Sequence, residues 1–253
     1  MTPVPPLARR NPVAKLGAAL LFALPLIATV DPLTPALALA VELTVIPFSG
    51  VRPSLLARRA WPLLIAAAGV LISMLLFAAD RGGDLLATAG PFDVTTGVLS
   101  GAAGLTLRIF AVALPGILVL ATTDPTDLAD ALVQNARLPE RFAIGALAAF
   151  RLLPLLGQEW QTLSLARRAR GLAPGPRLFL TTAFALLVGA LRRGVRLAVA
   201  MDARGFDAGT PRTHARLQRF TTADGALLIA AVLLSAGILT TTALLGLFRP
   251  ITG

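Results

Sequence analysis

The sequence predicts an all-α, polytopic membrane protein with about five transmembrane helices and, beside them, long amphipathic helices on the cytoplasmic side. Three observations predict it. First, 56% of the 253 residues are hydrophobic and only 14% are charged, where a soluble domain carries about 25% charged residues. Second, mean hydropathy is +0.78. Third, apolar runs alternate with polar segments, and the basic residues of those segments gather on one side of the spans.

Composition also removes several chemistries. There is no cysteine, so there are no disulfides, thiol nucleophiles or zinc-thiolate sites. His214 is the single histidine, which removes most histidine-based metal sites and triads. The net charge of +10 fits either nucleic acid or an anionic membrane surface. Hydropathy decides for the membrane, and the aromatic residues that stack on bases are sparse in 123–222, so no nucleic-acid partner is expected.

Taken in order, Leu16–Val30 is the first apolar run, broken by Asp31-Pro32, and Leu33–Phe48 is the second, interrupted by Glu42. The first run reads either as a span or as a secretory signal, with its basic start and small residues near Ala28; a second apolar run so close behind favours the span. Gly50–Ala60 carries Arg52, Arg58 and Arg59. Trp61–Ala79 is a third run, with Trp61 placed as an interfacial anchor. Asp80–Asp93 is polar and Gly-rich, and Val94–Thr122 is a fourth run containing Arg108. From Thr123 to Thr222 the character changes, with 14 arginines and seven acids among interleaved apolar residues. An arginine at the membrane centre costs about 2.5–3.5 kcal/mol, so Leu138–Gly171 and Leu178–Ala203 read as amphipathic helices at or below the membrane rather than as further spans. Ala223–Phe248 is the fifth span. The predicted organisation is therefore a four-helix transmembrane domain over 1–122, a cytoplasmic coupling domain over 123–222 and a transmembrane helix within 223–253.

Five spans with the N-terminus inside put Arg9, Arg10, Lys15, the 50–60 segment and 123–222 in the cytoplasm, leaving Arg81 alone outside between the first four spans. The expected location is a bacterial cell membrane, multi-pass, with a cytoplasmic N-terminus and the lipid bilayer as surroundings.

A repeat carries the functional signal. Leu163, Leu165, Ala166, Ala169-Arg170-Gly171-Leu172 and Gly175 recur 34 residues later as Leu197, Val199, Ala200, Ala203-Arg204-Gly205-Phe206 and Gly209. Each copy reads as the end of an amphipathic helix, with glycine in the left-handed conformation that stops it. Alanine keeps the tip narrow. Arginine suits the negative end of the helix dipole, and its planar fork can hold a carboxylate by two bonds. The product is a helix end presenting one guanidinium, and two such ends suggest two equivalent sockets on a partner. The plainer reading is helix capping with a solvated arginine.

At these residues the chain resembles the T component of energy-coupling factor (ECF) importers of vitamins and metal ions. The likeness runs through Asn11-Pro12, Lys15-Leu16, Thr123-Asp124-Pro125-Thr126-Asp127-Leu128, Leu138-Pro139, Arg151, Pro154, Glu159 and both Ala-Arg-Gly motifs. It implies a scaffold that links two ABC-type ATPase subunits to a small membrane subunit that binds a vitamin or a transition-metal ion such as cobalt. It also implies that Ala169, Arg170, Gly171, Ala203, Arg204 and Gly205 dock in grooves of the ATPases. The sequence has no G-x-x-x-x-G-K-[ST] phosphate loop, so ATP is expected on the partner subunits, with neither a cofactor nor enzymatic activity on this chain. Arg167 and Arg168 make the first tip more basic, whereas Asp202 and Asp207 flank Arg204, so the two tips are expected to prefer different ATPases or different sides of one heterodimer. The competing reading is a permease subunit that forms the substrate path itself, for which Glu42 and Arg108 are nearly the only polar candidates. A membrane-bound enzyme would need clustered Asp, His or Cys, and the carboxylates are scattered.

Four local expectations complete the reading. Glu42 and Arg108 form an intramembrane ion pair. Pro154 bends or breaks the helix that contains it. Thr126 caps a helix whose start is favoured by Asp127 and Asp130, and those acids, with Asp124, are not a metal site.

Overall fold

The computed structural model describes residues 7–29, 31–51, 53–77, 82–89, 92–172, 175–206, 213–214 and 216–246. Its elements are α1 (Pro12–Ile27), α2 (Leu33–Ser49), α3 (Pro53–Phe77), β1 (Leu85–Ala89), β2 (Phe92–Thr95), α4 (Thr96–Thr122), α5 (Pro125–Ala136), α6 (Glu140–Ala169), α7 (Pro176–Asp202) and α8 (Thr222–Leu244). The chain divides into two compact units, Met1–Asp124 with Gln218–Gly253, and Pro125–Leu217.

The first unit is a helical bundle. α1 packs on α8 and α4, α2 lies against α4 and α8, and α3 lies against α4. Small residues let these helices approach closely: Ala18, Ala38, Ala111 and Ala231 join Phe22, Leu26 and Ile238 in one buried cluster. Ile46, Leu56, Leu114 and Leu118 form a second cluster. The first apolar run is thus a core element of this unit. Gly104 of α4 sits where an added Cβ would lie 3.2 Å from Pro32, so the turn between α1 and α2 rests directly on the α4 backbone. In contrast, α3 buries only Leu56 and Ala67, the pattern of a helix with lipid on most sides.

Polar groups fasten the helix ends. The side chain of Asn11 accepts from Val13 N–H at 2.9 Å, and Asn11 N–H donates to Asp224 at 3.0 Å. Asp224 also accepts from the N–H and hydroxyl of Thr221, at 2.8 and 2.7 Å, closing a capping box on α8. Lys15 donates to the Thr122 carbonyl at 2.8 Å, so the start of α1 is tied both to the start of α8 and to the end of α4. Asp31 takes the Thr34 N–H and hydroxyl at 2.7 and 2.6 Å, which explains why Asp31-Pro32 breaks one helix and opens the next.

In the second unit α5 packs on α6 and α6 on α7. Thr213, His214 and Arg216 lie beside α5, with Arg216 paired to Asp127 at 3.3 Å and the Arg216 carbonyl accepting from Gln134 at 2.7 Å.

The all-α membrane architecture agrees with the sequence reading, and among the described residues five helices are long and apolar enough to cross a bilayer, as many as expected, but the membership differs. The five are α3, α4, α6, α7 and α8. α1 and α2, with 16 and 17 residues, reach about 24–26 Å, a few Å short of a typical hydrocarbon core. α6 and α7, read from sequence as cytoplasmic, qualify as well, although they are clearly less apolar than α3, α4 and α8.

Two local expectations are corrected, and one feature is new. Pro154 does not break its helix: α6 runs through it, as proline also lies inside α1, α2, α3 and α4. Thr126 lies inside the first turn of α5, because Pro125 starts that helix with its fixed φ and missing N–H. The Gly-rich segment after α3 contains a short antiparallel hairpin, Leu85 opposite Thr95 and Ala89 opposite Phe92. Arg81, also in that segment, and Arg52, Asp207 and Gly209 lie outside the described residues. α3 starts at Pro53, so Arg58 and Arg59 ride on its first turns and Trp61, 55% exposed, sits above them.

Candidate functional site

The two repeated motifs form helix ends of the same construction. After α6, the Leu172 N–H donates to the Arg167 carbonyl at 3.2 Å, Gly171 N–H to Arg168 at 2.9 Å and Arg170 N–H to Arg167 at 3.1 Å. After α7, Phe206 N–H donates to Met201 at 3.0 Å, Gly205 N–H to Asp202 at 2.9 Å and Arg204 N–H to Met201 at 3.0 Å. Every bond of the first set has its counterpart 34 positions on. This outer bond enclosing an inner one is the Schellman closure, which requires a left-handed residue after the helix. Gly171 and Gly205 supply it, with φ of 71° and 72°.

The residues between are presented outward. Ala169, Arg170 and Gly171 are exposed, as are Ala203, Arg204 and Gly205. Neither the Arg170 nor the Arg204 guanidinium has a hydrogen-bond or ion-pair partner among the described residues. Each fork stands at a helix C-terminus, where the dipole favours a cation, with only alanine and glycine beside it. The arrangement can grip a carboxylate or a row of carbonyls on a partner without rearranging its backbone.

The flanking charges are held differently at the two tips. Arg167 keeps its charge beside the first tip but is held in place: its guanidinium donates to the Thr181 hydroxyl at 2.6 Å and the Leu178 carbonyl at 3.4 Å, tying the end of α6 to the first two turns of α7. Arg168 remains exposed. Asp202 forms no ion pair with Arg204 among the described residues.

The helices that carry the tips are braced along their shared length. The Trp160 and Phe179 rings meet edge to face at 5.2 Å, and Glu159 pairs with Arg193. Sequence reasoning missed this pair and the Arg167 lock. The amphipathic pattern gives each helix its faces but not the crossing that brings residue 159 to residue 193. Beyond the brace, Gly194–Ala200 is exposed throughout, and Phe184, Leu187, Leu191, Val195 and Val199 make an uncovered apolar stripe along α7.

Glu42 and Arg108 do not form the expected pair. Glu42 is buried at 5% exposure, and neither carboxyl oxygen has a hydrogen-bond partner. Arg108 Nε and Nη2 are likewise buried without a hydrogen-bond partner. Glu42 lies more than two helical turns into α2 and faces α1, α4 and α8. No group of three or more Asp, Glu, His or Cys side chains among the described residues can hold a metal ion.

Comparison with known proteins agrees with this picture. The sequence model of the family described as cobalt transport protein, CbiQ, matches residues 4–215. The energy-coupling factor transporter transmembrane protein EcfT of Exiguobacterium sibiricum is 32% identical over 187 residues, covering 68% of this chain and 70% of that protein. The EcfT of Bacillus subtilis is 28% identical over 214 residues, 78% of this chain and 77% of that protein. A longer protein of Bifidobacterium longum, named as an ABC transporter ATP-binding protein, is 26% identical over 245 residues, 91% of this chain but 31% of that protein.

Proposed function

Because the chain belongs to the CbiQ family of cobalt transport proteins, and so is a transmembrane component of an energy-coupling factor transporter, we propose that it is the scaffold that couples two ABC-type ATPase subunits to a small substrate-binding membrane subunit for uptake of a vitamin or a transition-metal ion. The observation that carries this reading is the pair of matching helix ends, each offering an unpartnered guanidinium between alanine and glycine. Two identical plugs call for two similar sockets, as an ATPase pair provides. The occurrence of a chain of this kind within a longer protein named for ATP binding points the same way.

In this reading α6 and α7 are the coupling helices. ATP binding and hydrolysis take place on the partners, and closure of the ATPase pair displaces the two tips together. The Glu159–Arg193 pair, the Trp160–Phe179 contact and the Arg167 lock make the hairpin move as one piece. The apolar stripe of α7 supplies a surface for the substrate-binding subunit. The deciding experiment is co-purification of the ATPase subunits with the Arg170→Ala/Arg204→Ala double variant, which is expected to lose them. Full retention of both ATPases would end the docking proposal.

A further inference from the structure

The segment Pro125–Leu217, which carries both helix ends, joins the bundle covalently at two places, after Asp124 and before Gln218. The start of α1 holds the chain at both. Lys15 donates to the carbonyl of Thr122, the last residue of α4, at 2.8 Å. Asn11 Nδ2 donates to the Arg219 carbonyl at 3.4 Å, and Asn11 N–H donates to Asp224 at 3.0 Å. The side chains involved are buried, with Asn11 at 5%, Lys15 at 3% and Asp224 at 1% exposure. A carbonyl in the last turn of a helix lacks an intrahelical donor, and a cation there also meets the negative end of the dipole. Water or an exposed side chain would serve that need equally well. Placing the single lysine of the chain where water scarcely reaches it costs desolvation, so the position calls for more than a cap. The geometry supplies the further role: Asn11 and Lys15, one helical turn apart, grip the exit and the return of the same segment.

We propose that Asn11 and Lys15 are positioning residues for energy coupling: they bind both chain crossings to α1, so that displacement of the two helix ends moves α1 as one lever. α1 packs along both α8 and α4, the two helices that the crossings open and close. Without the two side-chain bonds each crossing gives way by itself and the movement is absorbed there. This inference rests on the reading of the helix ends as ATPase plugs and adds the route by which their movement enters the bundle. α3 lies against α4 and serves as the reference against which α1 is followed.

The chain has no cysteine, so spin labels can be placed at chosen positions alone. Nitroxides at Leu24→Cys on α1 and Ile72→Cys on α3, both exposed positions, are attached to the full-length chain before its purified ATPase subunits are added. Their separation is read by pulsed EPR with and without ATP and vanadate. With Asn11 and Lys15 in place it is expected to change by on the order of 1–2 Å, the scale of helix shifts at packed interfaces. Asn11→Ser keeps an oxygen to cap α1 but has no amide to give Arg219, and Lys15→Met keeps the stem without the ammonium. The double variant is expected to retain the ATPases and their ATP hydrolysis and to lose the nucleotide-dependent change. Thr34→Val removes a buried hydroxyl bond of 2.6 Å to Asp31 elsewhere in the bundle; it is expected to lower Tm and keep the change, so that lost stability by itself is not the cause. No change with Asn11 and Lys15 in place, an undiminished change in the double variant, or an equal loss in Thr34→Val overturns the proposal. If the double variant does not fold, Asn11→Ser alone decides, with a diminished change expected. Failure of the labelled chain to bind the ATPases at all would end the docking reading, and this proposal with it.

Discussion

Replacing Gly171 by alanine tests whether the shape of the helix end matters to docking. At φ 71° this residue is left-handed, a conformation that costs an L-residue with a β-carbon about 1–2 kcal/mol. An added Cβ there meets nothing within 4 Å, so no steric clash adds to that figure and none of it reflects lost packing. If the cap must be closed for Arg170 to reach its socket, the whole penalty appears in the docking equilibrium. At 1.4 kcal/mol per factor of ten, ATPase association through the first tip should weaken by about 5- to 30-fold. Two comparisons isolate the cause. Gly171→Asn should recover much of the loss, because asparagine tolerates the left-handed region. Gly175→Ala should be silent, because Gly175 is extended at φ −171° and also has open space around it. The measurement is the affinity of the purified ATPase for the detergent-solubilised chain, with Arg204→Ala as background so that the second tip does not mask the first. Equal affinity for Gly171→Ala and the unaltered tip, or equal losses for alanine and asparagine, would refute the reasoning.

Arg170→Lys and Arg204→Lys should restore only part of the ATPase binding lost in the alanine variants, since a single ammonium cannot reproduce the two-bond fork; pull-down at graded salt separates the two classes. Asp224→Ala leaves the N–H groups of Asn11 and Thr221 unsatisfied at the joint between α1 and α8, which should cost about 2–4 kcal/mol and lower Tm, with Asp224→Asn milder because it keeps one acceptor. Gly104→Ala should destabilise by about 1–3 kcal/mol, because its Cβ presses on the Pro32 backbone and ring, whereas Gly101→Ala on the same helix has open space and should be neutral or slightly stabilising in a Tm series. Cross-links from residue 170 and from residue 204 to a mixed ATPase pair should give different product ratios if the exposed Arg168 beside the first tip biases it toward one partner; equal ratios would count against distinct tips.

Much of the candidate site was legible because its construction is local. A helix end is closed by hydrogen bonds spanning a handful of residues, so a repeated Ala-Arg-Gly after apolar periodicity is enough to place Gly171 and Gly205 in the left-handed region. The missed pieces are those in which the partner comes from another helix. The sequence marks Arg167 as charge beside the tip, but not that its guanidinium also ties α6 to Thr181 of α7. Of the two readings of Pro154, a bend or a break, the break is excluded because α6 continues through it.

By itself the amino-acid sequence determined that this is an all-α membrane chain and that two of its helices end in the same exposed cap. Hydropathy and backbone stereochemistry act over a few neighbouring residues, and both are written in the order of the residues. Tertiary structure alone decided which buried polar groups meet. Asn11 finds Asp224 across 213 positions, whereas the Glu42 carboxyl and the Arg108 Nε and Nη2 are left buried without a hydrogen-bond partner. Such pairings depend on how helices rotate and cross in packing, and that is set by the whole bundle at once, not by any one segment.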